Sequence, residues 1–232
     1  MKKFIIAFAC IVLAISCNDD IDLSGNNGVH EFLPEVFSEI TVQDGFELYW
    51  SYGDTAKVRI ETDGNIVSHV RHTVKNNVLS FYKDPEAEFP SEALVKIYVT
   101  KDTINSLKAL SSKIKLADTL VSQNITLDIS KSSVLEGAVK CNQLIADIKS
   151  STLKLSGNAG YSFVNVLNNS NADSYNLISD YLSVNIMGGS TANFTANTEI
   201  SVNAIEGSIV NYKGTAVVRK MLLDDGSQMN KK

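Results

Sequence analysis

An apolar, polar, apolar triplet returns six times between residues 107 and 204: Leu107-Lys108-Ala109, Leu127-Asp128-Ile129, Ala146-Asp147-Ile148, Val164-Asn165-Val166, Val184-Asn185-Ile186 and Val202-Asn203-Ala204. Their central residues lie 20, 19, 18, 20 and 18 apart. Side chains alternate faces along a strand, so the residues three before, one before and one after each centre share a face. From Asp128 to Asn203 that face holds fifteen residues, fourteen of them apolar, the exception being Ser162. The opposite face carries Asp128, Asp147, Asn165, Asn185 and Asn203, with Thr126, Ile145, Phe163, Ser183 and Ser201 beside them. One face is therefore buried and the other is mostly hydrated.

Five residues past each centre stand Ser133, Thr152, Ser170, Ser190 and Ser208, preceded by Ser132, Ser151, Asn169, Gly189 and Gly207. Gly and Asn tolerate positive φ, and a Ser or Thr hydroxyl satisfies nearby backbone groups, so these positions read as tight corners. A second short alternating run follows, as in Leu153 with Leu155, Ala192 with Phe194, and Val210 with Tyr212, before a polar return to the next triplet. A unit of this length cannot enclose a core alone, but successive coils can stack and share one. The pattern predicts an all-β chain: a parallel β-helix of coils of about 19 residues over 107–216.

The lead-in, 32–106, is β-rich in a different register and reads as opening coils or a cap. Ile40 to Val42 and Phe46 to Trp50 read as two strands around a hairpin turn at Asp44-Gly45. Further strands are expected near 57–61, 78–82 and 94–100, with a helical turn from the Ile66, Val70, Val74 spacing. Residues 217–232 read as a C-terminal tail.

Two lysines, an apolar run from Phe4 to Ile15 and a small residue before Cys17 form a secretory leader of the lipoprotein type, 1–16, with Cys17 as the lipid-attachment site. The Asn, Asp and Gly-rich stretch 17–31 reads as a flexible tether. These features predict an outer-membrane lipid anchor and a cell-surface location. Cys10 leaves with the leader and Cys17 is acylated, so Cys141 is a lone thiol and no intramolecular disulfide is expected. The net charge of −5 becomes −7 once Lys2 and Lys3 are removed, which argues against a nucleic-acid partner.

The entry from Phe37 to Val42 followed by Asp44 to Leu48, the strand Val95 to Thr100, the Gly188-Gly189-Ser190 corner and the closing Val210 to Gly214 resemble the GIN domain family. That family is an autotransporter-adhesin head domain of unknown function, and the resemblance covers roughly residues 36–216. It implies a β-helical fold on bacterial surface or envelope proteins, often lipoproteins, and supplies no catalytic motif. The acidic residues just after Cys17 resemble the surface-export signal of lipoproteins from Gram-negative anaerobes.

The sharpest catalytic arrangement is Asp128 beside Asp147, a carboxylate pair one rung apart. Residues 107–214 contain no Arg and no His, so the usual partners of such a pair are missing and no enzyme is expected. Stacked Asp and Asn oxygens are the nearest thing to a calcium site, but amides on successive rungs can bond one another, so neither metal nor cofactor is expected. His69 and His72 read as surface residues. The expected function is a surface-anchored, rigid binding or adhesion module. Its candidate ladder is Asp128, Asp147, Asn165, Asn185 and Asn203, and its expected partners are the membrane through the lipid and a glycan or an envelope or matrix protein. The alternatives are a structural, periplasm-facing envelope component and, further off, a polysaccharide-cleaving enzyme.

Overall fold

The computed structural model describes residues 19–232. The expected leader 1–16, the expected lipid-attachment site at Cys17 and the start of the expected tether lie outside the described residues. The fold is a parallel β-solenoid with a spacing of about 19 residues. Among the described residues no helix is long and apolar enough to cross a membrane.

The predicted register holds throughout the coils. Asp128 pairs with Asp147, then Asn165, Asn185 and Asn203 in unbroken parallel succession. All fifteen residues of the inward face are buried, including Ser162, whose hydroxyl bonds that of Ser179 at 2.7 Å. The same column extends beyond the six triplets, through Thr41 and Ser80 at one end and Leu222 at the other. Fully burying an aliphatic side chain contributes roughly 1.5 to 3 kcal/mol before conformational entropy is subtracted, so these stacks are the main cohesive term.

Corners are made by residues in the left-handed region. Lys131 with Ser132, Asn168 with Asn169, Gly188 with Gly189, and Glu206 with Gly207 supply two such residues each. At Ser111 and Ser150 a single residue turns the chain. The shorter corner moves the small inward residue forward by one position, so Ser151, not Thr152, lines up with Ser133 and Ser170. Thr152 pairs instead with Val134 and Asn171.

The inward serines form a buried column. Each hydroxyl donates back to a carbonyl of its own corner, as Ser133 to Ser130 at 2.6 Å, Ser190 to Met187 at 2.7 Å and Ser208 to Ile205 at 2.8 Å. The hydroxyls of Ser133, Ser151, Ser170 and Ser190 also accept the backbone N–H of the serine one coil away. Ser112 N donates to Ser133 Oγ (3.0 Å), Ser133 N to Ser151 Oγ (3.1 Å), Ser151 N to Ser170 Oγ (3.2 Å) and Ser170 N to Ser190 Oγ (3.1 Å). A corner amide that would otherwise be buried without a partner is thereby satisfied.

The return segment is also strand. Val134–Lys149, Thr152–Leu167 and Asn171–Ile186 each run through two bends without a break, and Leu120, Val139, Leu177 and Ala196 on the third side are buried. Gly157 makes one of these bends at φ +105, where a Cβ would sit 2.0 Å from the Val139 carbonyl oxygen.

Several expectations at the two ends need correction. Glu39–Val42 and Glu47–Ser51 do not form a hairpin. They pair in parallel with Ser106–Leu110 and Lys113–Leu116, so Asp44-Gly45 is a coil corner, with the Phe46 carbonyl accepting the N–H of Lys113. Val78–Lys83 and Lys96–Thr100 form a further coil beneath them. Residues 17–31 are not wholly a tether, because Asn27–Phe32 is a strand paired antiparallel with Lys57–Asp63, itself antiparallel to Lys96–Thr100. Val70–Lys75 caps Val78–Lys83 in the same way, after a single helical turn at Val67–His69. The chain after 216 is not a tail, since Val217–Leu223 and Gln228–Lys231 stack as a last partial coil.

Placing a charge in the stack breaks it: Ile148→Asp is expected to abolish the cooperative thermal transition, and an unchanged melt would contradict the register. Ser170→Ala leaves Ser151 N without its acceptor and should cost about 1 to 3 kcal/mol by denaturant titration.

Candidate binding face

The outward ladder predicted from the triplets is formed, and its members are engaged with one another. Lys108 Nζ lies 2.8 Å from Asp128 Oδ2, Asn165 Nδ2 donates to Asp147 Oδ1 at 2.6 Å, and Asn203 Nδ2 donates to Asn185 Oδ1 at 2.8 Å. Stacking identical amides one rung apart sets donor against acceptor, as in other in-register β-stacks. Asp128 and Asp147 are neighbours in the column, yet each carboxylate has its own cationic or amide partner. The exposed ion pair adds at most about 1 kcal/mol, so the ladder's value lies in the fixed spacing of polar groups.

Beside this ladder lies an aromatic strip. Tyr161 stacks on Tyr181 with centroids 4.7 Å apart and planes 9° from parallel. Phe163, two residues along from Tyr161 on the same face, is 45% exposed, and Ile145 beside it is half-buried. The segment 67–83 does not cover them, because it sits at the capped end of the same sheet, beyond Glu39–Val42, Ser106–Leu110 and Leu120–Ser130. Tyr161, Phe163 and Tyr181 therefore stand in solvent alongside Asn165 and Asn185.

A second ladder was missed by sequence reasoning. On the sheet after the corner Lys115, Glu136 and Lys154 align, and past an irregularity after Leu153 so do Asp173, Asn193, Asn211 and Asn230. Lys154 Nζ meets Glu136 Oε1 at 2.9 Å, Asn193 donates to Asp173 at 3.3 Å, Asn211 to Asn193 at 2.9 Å and Asn230 to Asn211 at 3.2 Å. Its signal was present, since Leu153-Lys154-Leu155, Ala192-Asn193-Phe194 and Val210-Asn211-Tyr212 are themselves apolar, polar, apolar triplets. Hydrogen bonding to Glu136 raises the Lys154 ammonium above its ordinary value.

The histidines sit at the cap. His72 stacks on Phe32 at 3.9 Å with His30 5.7 Å away, and burial together with His30 lowers its pKa. His69 Nδ1 is 3.9 Å from Asp84 Oδ2, and Arg71 pairs with the same carboxylate. Among the described residues no cluster of three or more His, Cys, Asp or Glu is arranged to hold a metal. Cys141 lies half-buried among the polar residues Lys140, Asn142 and Gln143. It packs against the core on the third side, and burial pushes its thiol up to about 11.

A family model described as "Putative auto-transporter adhesin, head GIN domain" matches residues 36–216. The chain belongs to this family. Solved structures share the GIN-domain fold. A putative adhesin from Bacteroides fragilis NCTC 9343 is 19% identical with a TM-score of 0.76, covering 91% of this chain and 100% of its own. A putative adhesin from Parabacteroides distasonis ATCC 8503 is 18% identical at 0.72, covering 92% and 100%. A putative lipid binding protein from the same Parabacteroides strain is 14% identical at 0.69, again covering 92% and 100%. No curated protein matches the chain. At these identities the likeness to solved structures is one of fold.

The thiol gives a pH test. The folded state holds the Cys141 proton from the usual thiol pKa of 9.0 up to about 11, so this group favours the fold fully below pH 9 and loses that contribution as pH rises toward 11. A thiol reagent at pH 8, read by peptide mass mapping, should leave Cys141 unmodified until denaturant is added. Rapid labelling of the native protein would contradict the placement.

Proposed function

We propose that this GIN domain is a non-catalytic adhesion module, carried on a lipid at Cys17 after removal of residues 1–16 and displayed from the outer membrane at the cell surface. It binds an extended polymer along the first ladder face. The supporting observation is the exposed strip of Tyr161, Phe163 and Tyr181 beside the Asn165 and Asn185 amides, repeating at the strand spacing of roughly 4.8 Å. Aromatic rings next to aligned amides suit a glycan, with apolar sugar faces meeting the rings and hydroxyls meeting the amides. A ligand with its own regular repeat gains affinity from many weak contacts made together. The family and the fold neighbours named as adhesins agree with a binding role.

Two measurements test the reading. Protease added to intact cells should cleave the domain while a periplasmic control stays protected; protection until lysis would instead favour a structural, periplasm-facing component. On immobilised polysaccharides, with matrix proteins as a parallel arm, the double substitution Phe163→Ala and Asn185→Ala should weaken retention at least about tenfold. Asn193→Ala on the second ladder should leave it unchanged. Equal retention of all three proteins would rule out this face.

A further inference from the structure

The two ends of the solenoid are finished differently. At the N-terminal end the antiparallel strands Asn27–Phe32, Lys57–Asp63 and Val70–Lys75 lie over the first coils. At the C-terminal end Val217–Leu223 pairs on one side only, with 199–204 of the preceding coil. Val218, Met221 and Leu223 continue the inward columns of Ile200, Val202 and Ala204, which are buried, yet they are 39%, 54% and 39% exposed. Leu222, on the outward side, is 50% exposed. The core is thus left open at one end, along a sheet edge able to accept another strand.

We propose that this edge pairs with the same edge of a second copy, antiparallel, about a two-fold axis through Leu222. Three features of the strand point to this occupant.

The first is charge. Arg219-Lys220-Met221-Leu222-Leu223-Asp224-Asp225 carries two cations, three apolar residues and two anions. Turned end for end on itself about Leu222, it sets Lys220 opposite Asp224 of the second copy, twice by symmetry. Opposite charges directly across an antiparallel pair are favourable, and like charges are not. Arg219 stays with Glu199 at 3.0 and 3.2 Å and leaves the pairing to Lys220 and Asp224, since Asp225 already turns the next corner at φ 49. Sliding the register two residues either way sets Leu222 opposite Lys220 or Asp224 and loses the pairing.

The second is the backbone. Asp224 N donates to Ala204 O within the molecule, so by alternation Leu222 also points its amide and carbonyl toward its own sheet, while Met221 and Leu223 point theirs to the free edge. The proposed register sets Met221 opposite Leu223, which makes a hydrogen-bonded pair on each side of the axis, with Leu222 opposite itself between them. The third is shape. An axis normal to the sheet keeps inward residues inward, so Val218, Met221 and Leu223 of each copy cover the other's open core. Such a contact is isologous and closes at two subunits.

One strand pair is smaller than a standard stable interface of about 800 Å² per partner, so the dimer should be concentration-dependent. Sedimentation velocity of the purified protein across the micromolar range should show monomer giving way to dimer. Lys220→Glu, which sets Glu against Asp, and Asp224→Lys, which sets Lys against Lys, should each weaken dimerisation at least about tenfold. Mixing the two variants restores opposite charges at both contacts and should restore the dimer. Far-UV circular dichroism keeps folding separate from pairing, and Lys220→Glu lies on an exposed strand where folding is not at stake. A monomer at every concentration, or a dimer indifferent to the swaps and their mixture, would overturn the proposal.

Discussion

Everything in this molecule depends on each coil lying in register on the last, and the corner is where that constraint is hardest to meet. A chain that turns sharply inside a stack presents a backbone amide where water cannot reach it. The buried serine column meets this need, because one hydroxyl, such as that of Ser133, both donates to its own corner and accepts the amide of the neighbouring coil. Serine is small enough to sit inside the turn, and its bonds run along the solenoid axis, so corners cohere as the strands do. Apolar burial supplies most of the stability, while the serines fix where each coil must sit.

The polar faces follow from that register. Once inward residues are locked, residues between them must emerge at one per rung, and repeated Asn or Asp at such positions become ladders without further design. A ladder is therefore partly a by-product of repetition and is not by itself a binding site. What marks the first face is the interruption of polarity by Tyr161, Phe163 and Tyr181, large apolar groups that stability would place elsewhere. On the second face the aligned residues from Lys115 to Asn230 are all polar.

Much of this was legible in the sequence, where burial on one face imposes a strict period of two. The register of Asp128, Asp147, Asn165, Asn185 and Asn203 is an example. The misreadings share physical causes. Thr152 was placed in the corner column because Ser150, like Ser111, turns the chain alone where the corners at Lys131, Asn168, Gly188 and Glu206 use two residues, and such a change in left-handed count leaves no hydrophobic signature. The coil at 39–51 was read as a hairpin because its partners lie far along the chain, with Val78–Lys83 on one side and Ser106–Leu110 on the other. The last coil was hidden by the register shift near Arg219, which breaks the alternation between Val218 and Met221. Asn27–Phe32 carries little apolar signal because it is an exposed outer strand.

The central claim is that stability resides in stacked, interchangeable coils. Its most direct measurement is thermal unfolding of two deletions. Removing 166–185 joins Asn165 to Ile186 and preserves the phase of every column, so the shortened chain should fold and melt cooperatively, at a somewhat lower temperature. Removing only 176–185 puts the remaining coils out of phase and should leave no cooperative transition. Equal damage from both deletions, or equal tolerance of both, would contradict the account.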